Sequence, residues 1–314
     1  MARYLDATND VAFVKIFKNE NRLRGFLNAT LRLEVGARIQ KITLLPSREI
    51  PDIGQGKESL FDLKCTDEAG NIFVVEMQNR REGHFLKRAQ YYGAKTYASQ
   101  LKRGDDYVAE PEAEEEQPPL DEAERHKGLV PVVVVAVSAK RLFPKHIDCV
   151  SFHRTLEQKT KEQHLFALTY VFIELPKFKK PDNALETVED EWLHFLKYAR
   201  KDQAPPDTIT DKYVLDAYKA LERFNWTDVE FDAYDRARLR REIAEDNLAE
   251  SYQEGVEEGI GIGVEKGIEK GIEKGKIAVA KALLQDGVSL AVIAKASGLS
   301  LEALQQLQQE QGTA

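Results

Sequence analysis

Cysteine and long apolar runs are both scarce in this chain. Its 314 residues include two cysteines, Cys65 and Cys149, too few for a disulfide framework, so we expect a reducing compartment such as the cytoplasm. The opening MARYLDATND lacks the basic region and apolar stretch of a signal peptide. The longest apolar run, Leu129 to Val137, is far shorter than the ~20 residues that a membrane-spanning helix needs. These absences predict a cytoplasmic protein with no membrane partner.

Charge is unevenly distributed along the sequence. The net charge of −8 argues at first against nucleic acid as a partner, but eight acids and no base lie in the stretch AEPEAEEEQPPLDEAE, Ala109 to Glu124. From Asn79 to Arg103 there are seven bases and one acid. Residues 105–128 are therefore predicted to be a solvated acidic loop, inserted after a strongly basic segment.

Hydrophobic periodicity and turn residues predict an α/β domain over residues 1–180. The order of elements is α-β-β-β-α-β with one further strand, which favours helices packed on a mixed sheet. The predicted elements are a helix from Asn9 or Asp10 to about Leu31, strands Arg38–Leu45, Leu60–Thr66 and Ile72–Asn79, a helix Gly83–Arg103, a central buried strand in VPVVVVAVSA, and a strand in Leu165–Phe178.

The remainder of the chain is predicted to be helical. Residues 181–250 form a helical extension, and residues 251–275 carry glycine at every fourth position from 255 to 275. Because each interior glycine costs ~1 kcal/mol in a helix, this repeat is interpreted either as a flexible linker or as a self-association helix that would make the protein a homo-oligomer. Residues 276–314 have a helix-turn-helix rhythm around Gly298, but the last helix has no base, which favours an interaction module over a DNA reader.

Two acids and a glutamine interrupt an otherwise apolar hairpin, FDLKCTDEAGNIFVVEMQ, Phe61 to Gln78. A turn centred on Ala69 places Asp62 opposite Glu76, and Gln78 on the same face, while the reverse face is apolar. Paired carboxylates repel unless a cation lies between them, so Asp62 and Glu76 are candidate ligands for Mg²⁺ or Mn²⁺. The alternative is an ordinary solvent-facing side of a hairpin, and a slip of one residue in register would separate the two acids.

The helix after the hairpin has one basic face and one apolar face. The basic face is centred on Arg88 and, within about 60° at 100° per residue, includes Arg81, His84, Tyr91, Lys95 and Lys102. Clustered bases of one sign are typical of binding to a phosphate backbone. The alternative is a solvated charged face, which usually mixes signs.

These stretches together resemble the PD-(D/E)XK nucleases, and specifically the bacterial recombination-promoting nuclease / putative transposase family. The matching segments are NDVAFVKIF, ESLFDLKCTDEAGNIFVVEMQNR, LKRAQYYGAKTYASQLKRGDDY and FIELPKF. The resemblance covers roughly residues 6 to 180. It implies a restriction-endonuclease-like core and Mg²⁺-dependent cleavage of DNA. The family's catalytic residues fall on Asp62, on Glu76 and Gln78, and on Asp10 in the first helix.

Two positions depart from the pattern of the broader superfamily. Phe61 rather than proline precedes Asp62, and the literal Pro51-Asp52 lies in a glycine-rich loop. Gln78 stands where the superfamily has lysine; an amide can orient water by hydrogen bonds but carries no charge. The resemblance implies a DNA endonuclease that promotes recombination or transposition-like rearrangement. The alternative is a catalytically weak DNA-binding scaffold with the same fold.

Overall fold

The computed structural model describes residues 2–33, 35–46, 48–49, 59–60, 62–79, 83–102 and 126–312. Two units share the chain, Met1–Arg241 and Glu242–Ala314. Most of the predicted acidic loop and the Pro51-Asp52 segment lie outside the described residues. Within the described ranges, no helix is both long enough and apolar enough to cross a membrane.

Among the described residues, the first unit is built around a mixed sheet of six strands. The strands are β1 Ile42–Leu45, β4 Leu63–Asp67, β5 Ile72–Gln78, β6 Val132–Ser138, β7 Val150–Thr155 and β8 Leu165–Glu174, with a separate two-stranded ladder of β2 Arg48–Glu49 and β3 Ser59–Leu60. The predicted valine-rich strand is confirmed as β6, which runs parallel to β5 on one side and to β8 on the other. The remaining neighbours in the order β1-β4-β5-β6-β8-β7 are antiparallel.

Helices cover both faces of this sheet. The bounds in the first unit are α1 Asp10–Phe17, α2 Glu20–Thr30, α3 Phe85–Lys102, α4 Val188–Tyr198 and α5 Lys212–Leu221; α6, Asp228–Gln285, begins there. The larger core joins α1, α2, α4 and α5 to one face, and α3 packs alone on the other with Val74, Val134 and Phe172. This is the predicted α/β restriction-endonuclease-like fold with a helical C-terminal region. Short 3-10 turns occur at Val35–Ala37, Leu175–Lys177, Asp182–Ala184, Ala199–Lys201 and Arg223–Asn225.

A glycine allows α3 to approach the sheet closely. A Cβ atom at Gly93 would lie 2.9 Å from Tyr170 Oη and 3.2 Å from Val134 Cγ2, closer than ordinary van der Waals contact. The helix therefore rests directly on β6 and β8 at this position.

The structure corrects three details of the predicted elements. The first helix is two helices, because Asn19 accepts hydrogen bonds from the backbone N–H groups of Asn21 and Arg22 and so starts α2 anew. The strand predicted from Arg38 begins at Ile42. Strand β7 had not been predicted, since four of its six residues, VSFHRT, are polar and the apolar alternation stops after Phe152.

The helices after the sheet share its core. Trp192 of α4 is fully buried with ring contacts to Phe17 and Phe26, and Tyr218 of α5 packs edge-on against Tyr4. The predicted helical extension is therefore integrated with the sheet through at least α5.

The second unit contains the rest of α6 and two short helices, α7 Leu290–Ser297 and α8 Leu301–Gly312. The glycine repeat lies within α6 and is helical throughout. Gly298 ends α7 in the left-handed region, with φ of 68°, which favours glycine because no Cβ clashes there. Ala280, Ile293 and Leu304 form a small core.

Candidate active site at the end of the β4–β5 hairpin

The hairpin brings Asp62 and Glu76 together. Leu63 pairs with Val75 and Lys64 with Val74, which is the predicted register. One residue further, the backbone N–H of Asp62 donates to Glu76 Oε1 at 3.3 Å. Asp62 Oδ2 accepts from the backbone N–H of Met77 at 2.6 Å. The two side chains therefore meet where the β4–β5 ladder ends.

This face of the hairpin is buried rather than solvent-facing. Glu76 is 7% exposed, Gln78 3% and Lys64 1%. The alternative interpretation, an ordinary solvent-facing hairpin side, is therefore wrong. The reverse face is the predicted apolar core, with Cys65 and Val75 both at 0%.

Asp10 is fixed beside the end of β5 by Asn79. Asn9 caps α1, accepting from the N–H groups of Val11 and Ala12, and this places Asp10 in the first turn. Asn79 Nδ2 donates to Asp10 Oδ1 at 2.7 Å and to the carbonyl of Thr8 at 3.1 Å. Because Asn79 directly follows Gln78, its bond to Asp10 places the start of α1 next to the end of β5, the strand that carries Glu76. The sequence analysis missed Asn79; its position at the end of a strand of functional residues was the available signal.

Arg88 turns toward the hairpin. Its Nη2 donates to Gln78 Oε1 at 2.8 Å, and the guanidinium lies over the ring of Phe85, 5.4 Å from the centroid. Of the other predicted DNA contacts, His84 is exposed, Tyr91 is 57% exposed, and Lys95 is half-buried. Lys102 is the last residue of α3, and Arg81 lies outside the described residues.

Burial and mutual repulsion make the acids hard to ionise. Burial raises the pKa of Asp62 to about 6, and the carboxyl of Asp10 adds to the rise while the Met77 N–H and Arg88 oppose it. The pKa of Glu76 is raised well above its ordinary value, first by burial and then by Asp62. The site thus concentrates negative charge that a bound cation would stabilise.

The oxygen donors at the site fit a hydrated divalent ion. No group of three or more His, Cys, Asp or Glu side chains with metal-holding geometry occurs in the described part of the chain. Mg²⁺, however, is commonly held by one or two carboxylates while keeping several waters. Asp62 and Glu76 supply that pair, and burial raises the pKa of both.

A family model for PD-(D/E)XK nuclease family transposases matches residues 7–249. The chain belongs to this family. No curated protein and no solved structure matches it. The match to the PD-(D/E)XK nuclease family transposases extends beyond residue 180, where the resemblance seen in the sequence ended, and includes α4 and α5. Within this family domain, the hairpin acids, Asp10 and α3 all lie in the matched range.

Lys64 is a further polar residue on the acid-bearing face of this PD-(D/E)XK domain. It lies two residues after Asp62 on β4 and is 1% exposed. The sequence analysis missed Lys64 because a lysine in a hairpin is ordinarily exposed. Its burial becomes evident only from the three-dimensional structure.

Proposed function

We propose that this chain is a metal-dependent DNA endonuclease that promotes recombination or transposition-like rearrangement. The observation that carries the proposal is the pair Asp62 and Glu76, joined at the end of a buried hairpin with pKa values raised by burial and repulsion. Two unpaired cysteines support a reducing location such as the bacterial cytoplasm.

Each residue of the site has a distinct role in this proposal. Asp62 and Glu76 would hold the ion, and Asp10, oriented by Asn79, adds a third acid nearby. When bound, Mg²⁺ or Mn²⁺ supplies Lewis acidity toward the scissile phosphate and lowers the pKa of a water molecule. Gln78 would orient the attacking water by hydrogen bonding; because its amide carries no charge, it cannot also supply the positive charge of a lysine. In the hydrolysis, the water oxygen would form a new bond to phosphorus while one phosphorus–oxygen ester bond breaks; the water loses a proton and the leaving oxygen gains one.

The exposed side of α3 supplies the DNA contacts. By their spacing in the sequence, Tyr91 and Lys95 lie on the face of α3 centred on Arg88, His84 directly precedes the helix and Lys102 ends it. Arg81 is proposed as a further contact from its place in the sequence alone. The positive charge attracts phosphates, and Tyr91 is exposed enough to contact a sugar or base. Arg88 differs from these residues, because its bond to Gln78 directs its charge to the acids.

The glycine repeat supports self-association through α6. Exposed Val and Ile side chains recur through the repeat, including Ile260, Val264, Ile268 and Ile272. Apart from the adjoining turns of α6 itself, no described part of the chain would lie within 4 Å of a Cβ atom at any repeat glycine. A second copy of this helix could therefore approach closely along the glycines and bury the apolar side chains.

Cleavage of supercoiled plasmid with a series of divalent ions tests the proposed function. We expect nicking that requires Mg²⁺ or Mn²⁺, stops with EDTA and is lost in Asp62→Asn. The matched control, Asp207→Asn, changes an exposed acid away from the site and should nick normally. Retardation of DNA without cleavage, unchanged by Asp62→Asn, would instead support a DNA-binding scaffold.

A further inference from the structure

Helix α3 divides one face of the sheet into two parts. Glu76, Ala136 and Phe172 are directly paired across β5, β6 and β8, so all three point to this face. The flank of α3 nearer β5 carries Arg88 and borders the acids. The opposite flank, with Leu86 and Gln90, borders a cavity of about 370 Å³ over β8 and β7. We call this cavity the β8 groove; no role above involves it.

Aromatic rings form the walls of the β8 groove. Phe143 stacks on His153 with ring centroids 4.8 Å apart and an angle of 26°. Phe172 meets both rings edge-on, at 5.2 and 5.3 Å, and Tyr170 also lines the cavity. Flat rings of this kind provide surfaces on which nucleic-acid bases stack. A volume of about 370 Å³ lies within the range of pockets that hold small organic groups.

The described residues around the β8 groove include exposed bases, although the chain as a whole has a net charge of −8. Among the described residues that line it, Arg154 is basic and exposed and none is acidic. The segment between β6 and β7 adds Arg141 and Lys145, both exposed, on either side of Phe143. Exposed bases beside stacking rings match a polymer that alternates phosphates with bases.

The segment carrying Phe143 is held in place by a buried ion pair. Glu174 is fully buried, and its Oε1 accepts from the backbone N–H groups of Leu142 and Phe143 at 2.6 and 3.1 Å. Lys177 Nζ lies 2.5 Å from Glu174 Oε2 and donates to the carbonyls of Pro144 and Ile147. The Phe143 ring is thus positioned before any ligand arrives, which reduces the ordering cost of binding.

One end of the β8 groove, at Phe172, is level with Glu76 across the sheet, and the groove extends from there toward the start of β8 through Tyr170 and Leu168. Two interstrand spacings separate the backbone at Glu76 from that at Phe172, a distance of ~10 Å. Both residues also lie near the carboxyl ends of parallel strands. A single strand of DNA with its phosphate at the acids could therefore place a neighbouring base at the groove.

We infer that the β8 groove binds unpaired bases of single-stranded DNA. The choice of DNA as ligand rests on the proposed function. The substrate of the nuclease then includes an unpaired stretch next to the scissile phosphate. Bases in a duplex are stacked on one another, so they cannot present their faces to Phe143 and His153.

The test is a binding measurement that involves no cleavage. The full-length Asp62→Asn protein in EDTA is titrated into fluorescein-labelled oligodeoxythymidylate and, separately, into a duplex of equal length, and anisotropy is recorded. Phe143→Leu removes the ring but keeps an apolar side chain, so the fold is retained. We expect it to weaken single-strand binding at least about fivefold, the effect of losing one stacked base, with duplex binding changed less than about twofold. Arg154→Ala should weaken single-strand binding and its salt dependence.

Matched controls lie away from the groove. Phe224→Leu alters a phenylalanine that is 78% exposed, and Arg38→Ala alters an exposed arginine before β1, at the opposite edge of the sheet; neither should weaken binding. Absence of single-strand binding, or an equal loss of single-strand and duplex binding in Phe143→Leu, would overturn the inference. Plasmid nicking with no Phe143 effect on binding leaves the nuclease standing and refutes the groove. Single-strand binding that depends on Phe143, in a protein that nicks no plasmid, would support the groove and refute the nuclease.

Discussion

Arg88 on α3 donates a hydrogen bond to Gln78 Oε1 at the end of β5, with the two atoms 2.8 Å apart. The helix thereby brings a permanent positive charge to Gln78, the position that the sequence resemblance aligns with the superfamily's lysine. Arg88 also lowers the pKa of both Asp62 and Glu76. The neutral glutamine and the helical arginine together supply hydrogen bonding and charge that a lysine would combine in one side chain.

Replacing Arg88 with methionine should shift the pH dependence of cleavage. Without the guanidinium, the pKa values of Asp62 and Glu76 rise further, so half-maximal nicking moves to higher pH, and the maximal rate falls about 10-fold or more. The measurement is the plasmid nicking rate across a pH series. Lys87→Met, at an exposed neighbouring base, is the control and should alter DNA affinity only. An identical pH profile in both variants would show that Arg88 does not influence the acids and only contacts the DNA backbone.

Asp62→Asn should stabilise the metal-free protein at neutral and alkaline pH. The folded pKa of about 6 lies above the ordinary 3.8, so the folded state holds the proton more tightly. This contribution to stability is complete below pH 4 and is lost as pH rises through about 6, a change of about 3 kcal/mol. Asparagine keeps an oxygen to accept from the Met77 N–H.

Chemical denaturation in EDTA at pH 4 and pH 8 measures this effect. The variant should exceed the wild type in free energy of unfolding at pH 8, and the gap should close at pH 4. Added Mg²⁺ at pH 8 should stabilise the wild type alone. Equal stability of the two proteins at both pH values would show that Asp62 bears no uncompensated charge.

Asn79→Ala should impair cleavage by releasing Asp10. Loss of the 2.7 Å bond leaves the carboxylate unoriented, and we expect nicking to fall about 10- to 100-fold, with about 1–2 kcal/mol lost from the free energy of unfolding. Asn79→Asp should be worse, because it sets a second carboxylate against Asp10. Asn183→Ala, at an exposed asparagine, is the control. Wild-type nicking by Asn79→Ala would exclude a positioning role.

Charges placed on the repeat of α6 should dissociate the proposed homo-oligomer. Ile268 and Ile272 are 59% and 55% exposed, and glutamate at both would bring like charges into a self-contact. Light scattering should report a lower mass for the full-length double variant. Val229→Glu alters an apolar residue of α6 outside the repeat, 77% exposed, and should keep the wild-type mass. An unchanged mass in the double variant contradicts self-association through these residues.

Local sequence signals determined much of this fold. The turn chemistry of DEAGN set the β4–β5 register, so the meeting of Asp62 and Glu76 could be predicted from alternation. The unbroken valine run indicated a strand buried on both faces. Strand β7 could not be found in this way, because an edge strand with polar residues lacks a two-fold apolar period.

The contacts within the site depend on packing between elements distant in sequence. The basic face of α3 predicts that Arg88 contacts DNA, and that stays a prediction; its hydrogen bond to Gln78 was not predicted and depends on how α3 lies on the sheet. The bond between Asn79 and Asp10 joins residues 69 positions apart. Predicting such pairings requires knowing how a helix lies against a strand, and the periodicity within either element does not give that information.

The absence of a side chain at Gly93 has a mechanical consequence. Tyr170 and Val134 already fill the space that a side chain at residue 93 would occupy. Helix α3 therefore cannot lie closer to the sheet, and the same two residues limit its rotation. The guanidinium of Arg88 is thereby held at a fixed height above the strands. Adding even one methyl group at residue 93 would act as a wedge, tilting the helix and changing the reach of every side chain on it.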